Sequence, residues 1–166
     1  MRIYLVRHSN AVDPGTPGYE DDSQRPLTEK GRDKMNQIAS ALKKMNLKTD
    51  LIVSSPYVRA RQTAEILAKV LKYKRSIAFS DALIPVGNTD EIIGEINEKY
   101  DVDELVLVSH EPFISNLIGT LTAGNPDITI NIKNGGVCCL SADDLHVERT
   151  AILEWFLTPK ILSALS

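Results

Sequence analysis

Four short apolar runs, each followed by a stretch of helical or loop chemistry, constrain this chain more than any other feature. They are "RIYLV" (2–6), "DLIVSS" (50–55), "RSIAFS" (75–80) and "ELVLVSH" (104–110). Runs this short and rich in β-formers read as buried strands. Between them the apolar residues change period. Met35, Ile38, Leu42 and Met45 trace one face of a helix that Thr28 caps. Ala60, Thr63, Ala64, Leu67 and Leu71 trace a second, with Pro56 expected in its first turn. Residues 89–99 form a third with Ile92, Ile93 and Ile96 inward. Glu111-Pro112 opens a fourth with Ile114, Leu117, Ile118 and Leu121 apolar. Strands alternating with helices give a mostly parallel sheet covered on both faces. The last third differs: "GGVCCLS" (135–141) and "RTAILEWFL" (149–157) read as an antiparallel hairpin around Asp143–His146, at the sheet edge.

A chain of 166 residues, 43% hydrophobic, suits one domain over 1–166 with a core that needs no staples. The net charge of −3 argues against general nucleic-acid binding, though a few arginines can still converge in an acidic surface. Cys138 and Cys139 are adjacent, so on a strand they point to opposite faces and do not bond. They read as reduced thiols, one buried and one exposed, in a reducing compartment. The run Ile3–Val6 is too short for a signal segment and is broken by Arg7. No stretch approaches the ~20 apolar residues of a membrane helix. The expected location is cytoplasmic, with neither membrane nor nucleic acid as partner.

Ligands in parallel sheets bind beyond the carboxyl ends of the strands. The first run ends in Arg7-His8, the second in Ser54-Ser55-Pro56 with Arg59 soon after, and the fourth in Ser109-His110. If these strands are neighbours, two histidines and two arginines meet on one rim. Guanidinium forks match phosphate oxygens, and a neutral imidazole is a competent nucleophile towards phosphorus. Nearby arginines lower a histidine pKa and keep it neutral. Arg61 stands about 200° from Arg59 on a helix, so it is assigned a supporting or solvated role. Arg25 is expected to brace the loop spanning 9–27. Thr28 and Gly31 read as a cap and a tight first turn, Trp155 as edge packing and His146 as surface. Nothing resembles a zinc pattern, and neither metal nor cofactor is expected.

"LVRHSNA", "RPLTEKG", "SSPYVRARQTAE" and "LVSHEPFI", in this order, resemble the histidine phosphatase (phosphoglycerate mutase-like) superfamily over about residues 1–160. The size and the tail "WFLTP" look most like its bacterial phosphohistidine phosphatases, the SixA type. The resemblance implies a three-layer α/β/α sandwich. It implies His8 as the nucleophile that becomes phosphorylated, Arg7 and Arg59 as phosphate clamps, and His110 as the second histidine, binding phosphoryl oxygens. It implies a metal-independent phosphatase whose substrate is phosphohistidine on a phosphotransfer protein. The alternatives are a broader phosphomonoesterase acting on small phosphate esters and a phosphohistidine-binding module without turnover. Two residues depart from the family pattern. Ser9 replaces a glycine that would tolerate unusual backbone angles and close approach of phosphate, and its hydroxyl is a candidate hydrogen-bond donor to phosphate. Asn10 replaces an acid; it is a candidate phosphate ligand but no proton donor. Candidates for the general acid are Glu20, Asp21, Asp22 and Glu111, with Asp22 favoured because it lies just before "RPLT".

Overall fold

The computed structural model describes residues 1–145 and 150–166. Its strands are β1 (Arg2–Arg7), β2 (Leu51–Ser54), β3 (Ala78–Phe79), β4 (Glu104–Ser109), β5 (Val137–Ala142) and β6 (Ala151–Leu157). They form one sheet in the order β3-β2-β4-β1-β5-β6. β4 lies between β2 and β1, parallel to both, and β3 is parallel to β2. β5 runs antiparallel to β1 and pairs with β6 as the expected antiparallel edge. The helices are α1 (Glu29–Lys44), α2 (Val58–Leu71), α3 (Thr89–Lys99), α4 (Phe113–Ala123) and α5 (Pro159–Leu165).

The period-two alternation of the strands sorts two cores onto the two faces. Ile3, Leu5, Leu105, Leu107, Cys138 and Leu140 face α3 and α4. Tyr4, Val6, Val106, Val108, Val137 and Cys139 face α1, α2 and α5. The result is the three-layer α/β/α sandwich, with the central strands buried on both sides. Both cysteines lie on opposite faces as the pattern requires, but neither is exposed: Cys138 belongs to the core under α3 and α4, and Cys139 to the core on the other face, with Tyr4 and Trp155 as its cross-strand neighbours. Burial pushes the thiols up, Cys138 to about 12 and Cys139 to about 11, so both are unreactive neutral groups.

Local chemistry explains four departures from the sequence reading. Pro56 precedes α2 rather than opening it: Tyr57 is the N-cap residue and Arg59 falls in the first turn. The third strand shrinks to two residues, because only Ala78 and Phe79 reach β2. Met45 is half-exposed at the C-cap of α1 and does not extend its inner face. There Asn46 turns left-handed at φ +60, and Leu47 N–H and Asn46 N–H return to the carbonyls of Leu42 and Lys43, both at 3.0 Å. This closing motif carries Leu47, not Met45, back onto the core. Finally, α5 was not foreseen, although Thr158 caps it and Pro159 occupies its first turn. Trp155 packs against Tyr4, ring centroids 6.0 Å apart, as edge packing should. His146 lies outside the described residues.

Candidate active site

β1 and β4 are parallel neighbours whose following helices leave to opposite faces, α1 to one and α4 to the other. Such a switch point opens a crevice at the strand ends. Arg7 pairs in register with Ser109, so His8 and His110 emerge side by side, ring centroids 4.9 Å apart. A pocket of about 350 Å³ lies there, its walls including Arg7, His8, Arg59, His110, Arg25 and Glu111.

His8 is buried and held by its own backbone. Its Nδ1 lies 2.7 Å from the Ser9 carbonyl, which only accepts, so Nδ1 carries the proton. Nε2 is left with its lone pair, to which Arg59 Nε donates at 3.3 Å. Burial pushes the imidazole down to about 3; the Ser9 carbonyl opposes this, while the charges of Arg59, Arg7 and Arg25 reinforce it. The sequence points to the arginines as the cause of the low pKa, but desolvation is the larger effect.

His110 is fixed by a relay from α2. Its Nε2 lies 2.8 Å from Ser55 Oγ, and the same oxygen accepts from Tyr57 N–H at 3.3 Å. With Ser55 donating to Nε2, every group in this relay is satisfied and the His110 proton sits on Nδ1. That buried Nδ1 has no partner in the protein. Burial, followed by the neighbouring His8 and the arginines, lowers this histidine to about 2. The Tyr57 ring meets His110 edge-on at 5.2 Å and lies 5.0 Å from the Arg59 guanidinium. Tyr57 thus packs against both groups, a role that sequence reasoning missed.

The cations are anchored on their outer sides. Arg7 donates through Nη1 to the Ile132 carbonyl, while its buried Nε has no partner. Arg59 donates to the Asp22 carbonyl at 2.7 Å and to Asp22 Oδ2 at 2.9 Å. Arg25 donates to the Val12 carbonyl and to Asp22 Oδ1, bracing the loop as expected while also lining the pocket. Arg61 points to solvent and pairs with Glu65 at 3.7 Å. Two unpaired buried donors and three guanidiniums around neutral imidazoles make a cradle for a phosphoryl group. Among the described residues, no group of three or more His, Cys, Asp or Glu side chains is arranged to hold a metal. No helix among them is long and apolar enough to cross a membrane.

Comparison with known proteins agrees with this geometry. The histidine phosphatase superfamily (branch 1) matches residues 3–84. An uncharacterised protein of Picosynechococcus is 31% identical over 98% of this chain and 99% of its own length. The phosphohistidine phosphatase SixA of Escherichia coli K12 is 27% identical over 75% of this chain and 76% of its own. The chain belongs to the histidine phosphatase superfamily. The structure of the protein histidine phosphatase SixA complexed with tungstate superposes with a TM-score of 0.79 at 23% identity, covering 96% of this chain and 98% of that one. A SixA structure from Agrobacterium tumefaciens, described there as a possible phosphohistidine phosphatase, gives 0.76 at 25% identity, covering 95% and 97%. This superfamily member is therefore a phosphatase with the SixA fold.

Within that frame, three expectations change. Ser9 has no positive φ: among the described non-glycine residues only Asn46 and Lys72 do. No glycine freedom is needed there, and the Ser9 hydroxyl donates to the Gly31 carbonyl at 2.8 Å rather than into the pocket. Asn10 is not a pocket wall; its Oδ1 accepts from Lys34 Nζ at 3.0 Å. Asn134 and Pro85 line the pocket instead, and no local sequence signal singles them out. Gly31 is required for a reason beyond a tight turn: a Cβ there would lie 2.0 Å from the Asn10 carbonyl oxygen. Asp22 does reach the rim, but as an anion. Burial raises its carboxyl, yet the hydrogen bonds and charges of Arg25 and Arg59 outweigh that and hold it below the ordinary value. A carboxylate gripped by two guanidiniums is a poor proton donor. Glu111 is the opposite case. Ser115 Oγ donates to its Oε2 at 2.6 Å, Oε1 is buried without a partner, and burial raises its pKa despite the pull of Ser115 and Arg7.

Proposed function

We propose that this phosphatase hydrolyses phosphohistidine on a phosphotransfer protein through a phosphorylated His8. The observation that carries the reading is the pairing of a neutral, backbone-tethered His8, its Nε2 lone pair held by Arg59, with unpaired donors at His110 Nδ1 and Arg7 Nε. His8 Nε2 attacks phosphorus, and the P–N bond of the donor histidine breaks. The phosphoryl group moves to His8, and the donor ring, protonated from solvent on its other nitrogen before the bond breaks, leaves as neutral imidazole. Arg7, Arg59 and His110 Nδ1–H receive the charge that builds on the phosphoryl oxygens; donors of this kind are each typically worth about 10²–10³ in rate. Water then attacks phospho-His8, releasing inorganic phosphate and the free imidazole. Each arginine stays cationic throughout.

The labile P–N bond asks little of an acid. A phosphate ester asks more, because its alkoxide must be protonated, and the raised, half-buried Glu111 is the group suited to that task. That observation favours small phosphate esters as second substrates, with Glu111 in place of Asp22 as the acid. The deciding assay is phosphate release from a histidine-phosphorylated phosphotransfer domain in excess chelator, wild type against His8→Ala. Fast release by wild type alone, with acid-labile phosphate trapped on the protein, supports the reading. Unchanged release by His8→Ala overturns it. Glu111→Gln is expected to slow ester hydrolysis by about 10²-fold while sparing phosphohistidine; equal loss on both would remove Glu111 from the acid role.

A further inference from the structure

Beside the phosphate pocket lies a second concavity, a groove of about 630 Å³ between α1, α5 and the segment before β5. Lys30, Lys34, Lys133 and Lys160 line it, with Asp33 its single carboxylate. The chain as a whole carries −3, so this concentration of positive charge runs against the rest of the surface. Among the described residues none of the four lysines is in an ion pair. The groove adjoins the catalytic rim through neighbours in sequence and one hydrogen bond. Lys34 Nζ contacts Asn10, two residues beyond His8. Lys133 stands between Ile132, whose carbonyl anchors Arg7, and Asn134, which lines the pocket. Lys34 is shifted down by burial and then by the charges of Arg7 and Lys30, so it shares one positive field with the site. Pro159, buried at the start of α5, is the one apolar residue among those lining the groove.

We propose that this groove docks an acidic face of the protein that carries the phosphohistidine, a specificity surface distinct from the phosphate pocket. The proposal rests on the phosphohistidine reading above. It would supply contacts to the protein substrate outside the phosphate pocket itself. Opposed charge steers encounter and fixes register, and it is weakened by salt.

The test uses Lys30→Glu/Lys133→Glu/Lys160→Glu, which leaves Lys34 and every pocket residue in place. Three substrates are compared: a phosphotransfer domain with acidic residues around its phosphohistidine, the same domain with those residues neutralised, and free phosphohistidine. The variant is expected to lose about tenfold or more in kcat/KM on the acidic domain. The loss should appear in KM, with kcat and free phosphohistidine unchanged and the salt dependence flattened. Equal activity of wild type and variant on the acidic domain overturns the proposal, as does an equal loss on free phosphohistidine. Equal turnover of the two domains, with a short RNA duplex bound by wild type and not by the variant, assigns the groove to nucleic acid and also overturns it. If wild type turns over none of the three, the phosphohistidine reading has failed. Docking is then read separately, by calorimetric titration of the unphosphorylated acidic domain. Salt-sensitive binding lost in the variant upholds the groove, and binding unaffected by charge reversal refutes it.

Discussion

The two neutral histidines tie stability to pH with a definite sign. His8 and His110 sit at about 3 and about 2 in the folded protein, chiefly through burial. In the unfolded chain each returns to about 6.5. Between these limits the unfolded state binds two protons that the folded state refuses, so folding weakens as pH falls. Each histidine contributes a slope of up to about 1.4 kcal/mol per pH unit. From pH 6.5 to 4.5 the integrated loss is about 2 kcal/mol per histidine, on the order of 4 kcal/mol together, against a usual total of about 5–15 kcal/mol. Asp22 and Glu111 also titrate at low pH, with opposite signs, but both remain in a His8→Gln/His110→Gln variant and largely cancel in the comparison. The assay is urea unfolding of wild type and the double variant at steps between pH 7.5 and 4.5. Wild type should lose about 4 kcal/mol relative to the variant over the lower two units. A difference that stays constant with pH would mean that the imidazoles titrate alike folded and unfolded, and would refute the desolvated, neutral pair. Single variants should each show about half the effect.

Three further substitutions follow from the geometry. Ser9→Gly removes the hydroxyl bond to Gly31 and adds backbone freedom, so it should cost about 1–2 kcal/mol in unfolding experiments while leaving kcat intact, since the hydroxyl does not face the pocket. Ser55→Ala breaks the relay that fixes the His110 proton on Nδ1; kcat should fall by about 10²-fold with little change in the melting temperature. Gly31→Ala forces a methyl against the Asn10 carbonyl, and a thermal melt should show a loss of about 1–3 kcal/mol.

Much of the fold was legible because the central strands are buried on both faces and their helices carry unbroken inner stripes. β1, β2 and β4 read clearly for that reason, but the meeting of His8 with His110 is legible only on the condition that their strands are neighbours, which the pairing of β1 with β4 supplies. What was hidden depends on where side chains point once a strand has ended. Ser9 and Asn10 follow His8 in sequence, yet both turn onto α1, because the chain is drawn against Gly31. Asp22 and Glu111 are both carboxylates near the site; only the guanidiniums around one and the apolar cover over the other separate an anion from a potential acid. Cys139 is buried with Tyr4 and Trp155 as its cross-strand neighbours, and α5 is hidden because its short length gives little periodicity, although Thr158-Pro159 marks its start.

The insertion of β4 between β1 and β2 also dictates an order of assembly. Among the described residues β1 bonds only to β4 and β5, and β2 only to β3 and β4. Until residue 109 has left the ribosome, the strand carrying His8 has no lateral partner at all, and β2 has only the two-residue β3 on one edge. The first half of the chain, which holds the nucleophile and both clamp arginines, is therefore not a self-sufficient folding unit. Its long-range closure makes the molecule a slow starter of the kind that benefits from protection during synthesis.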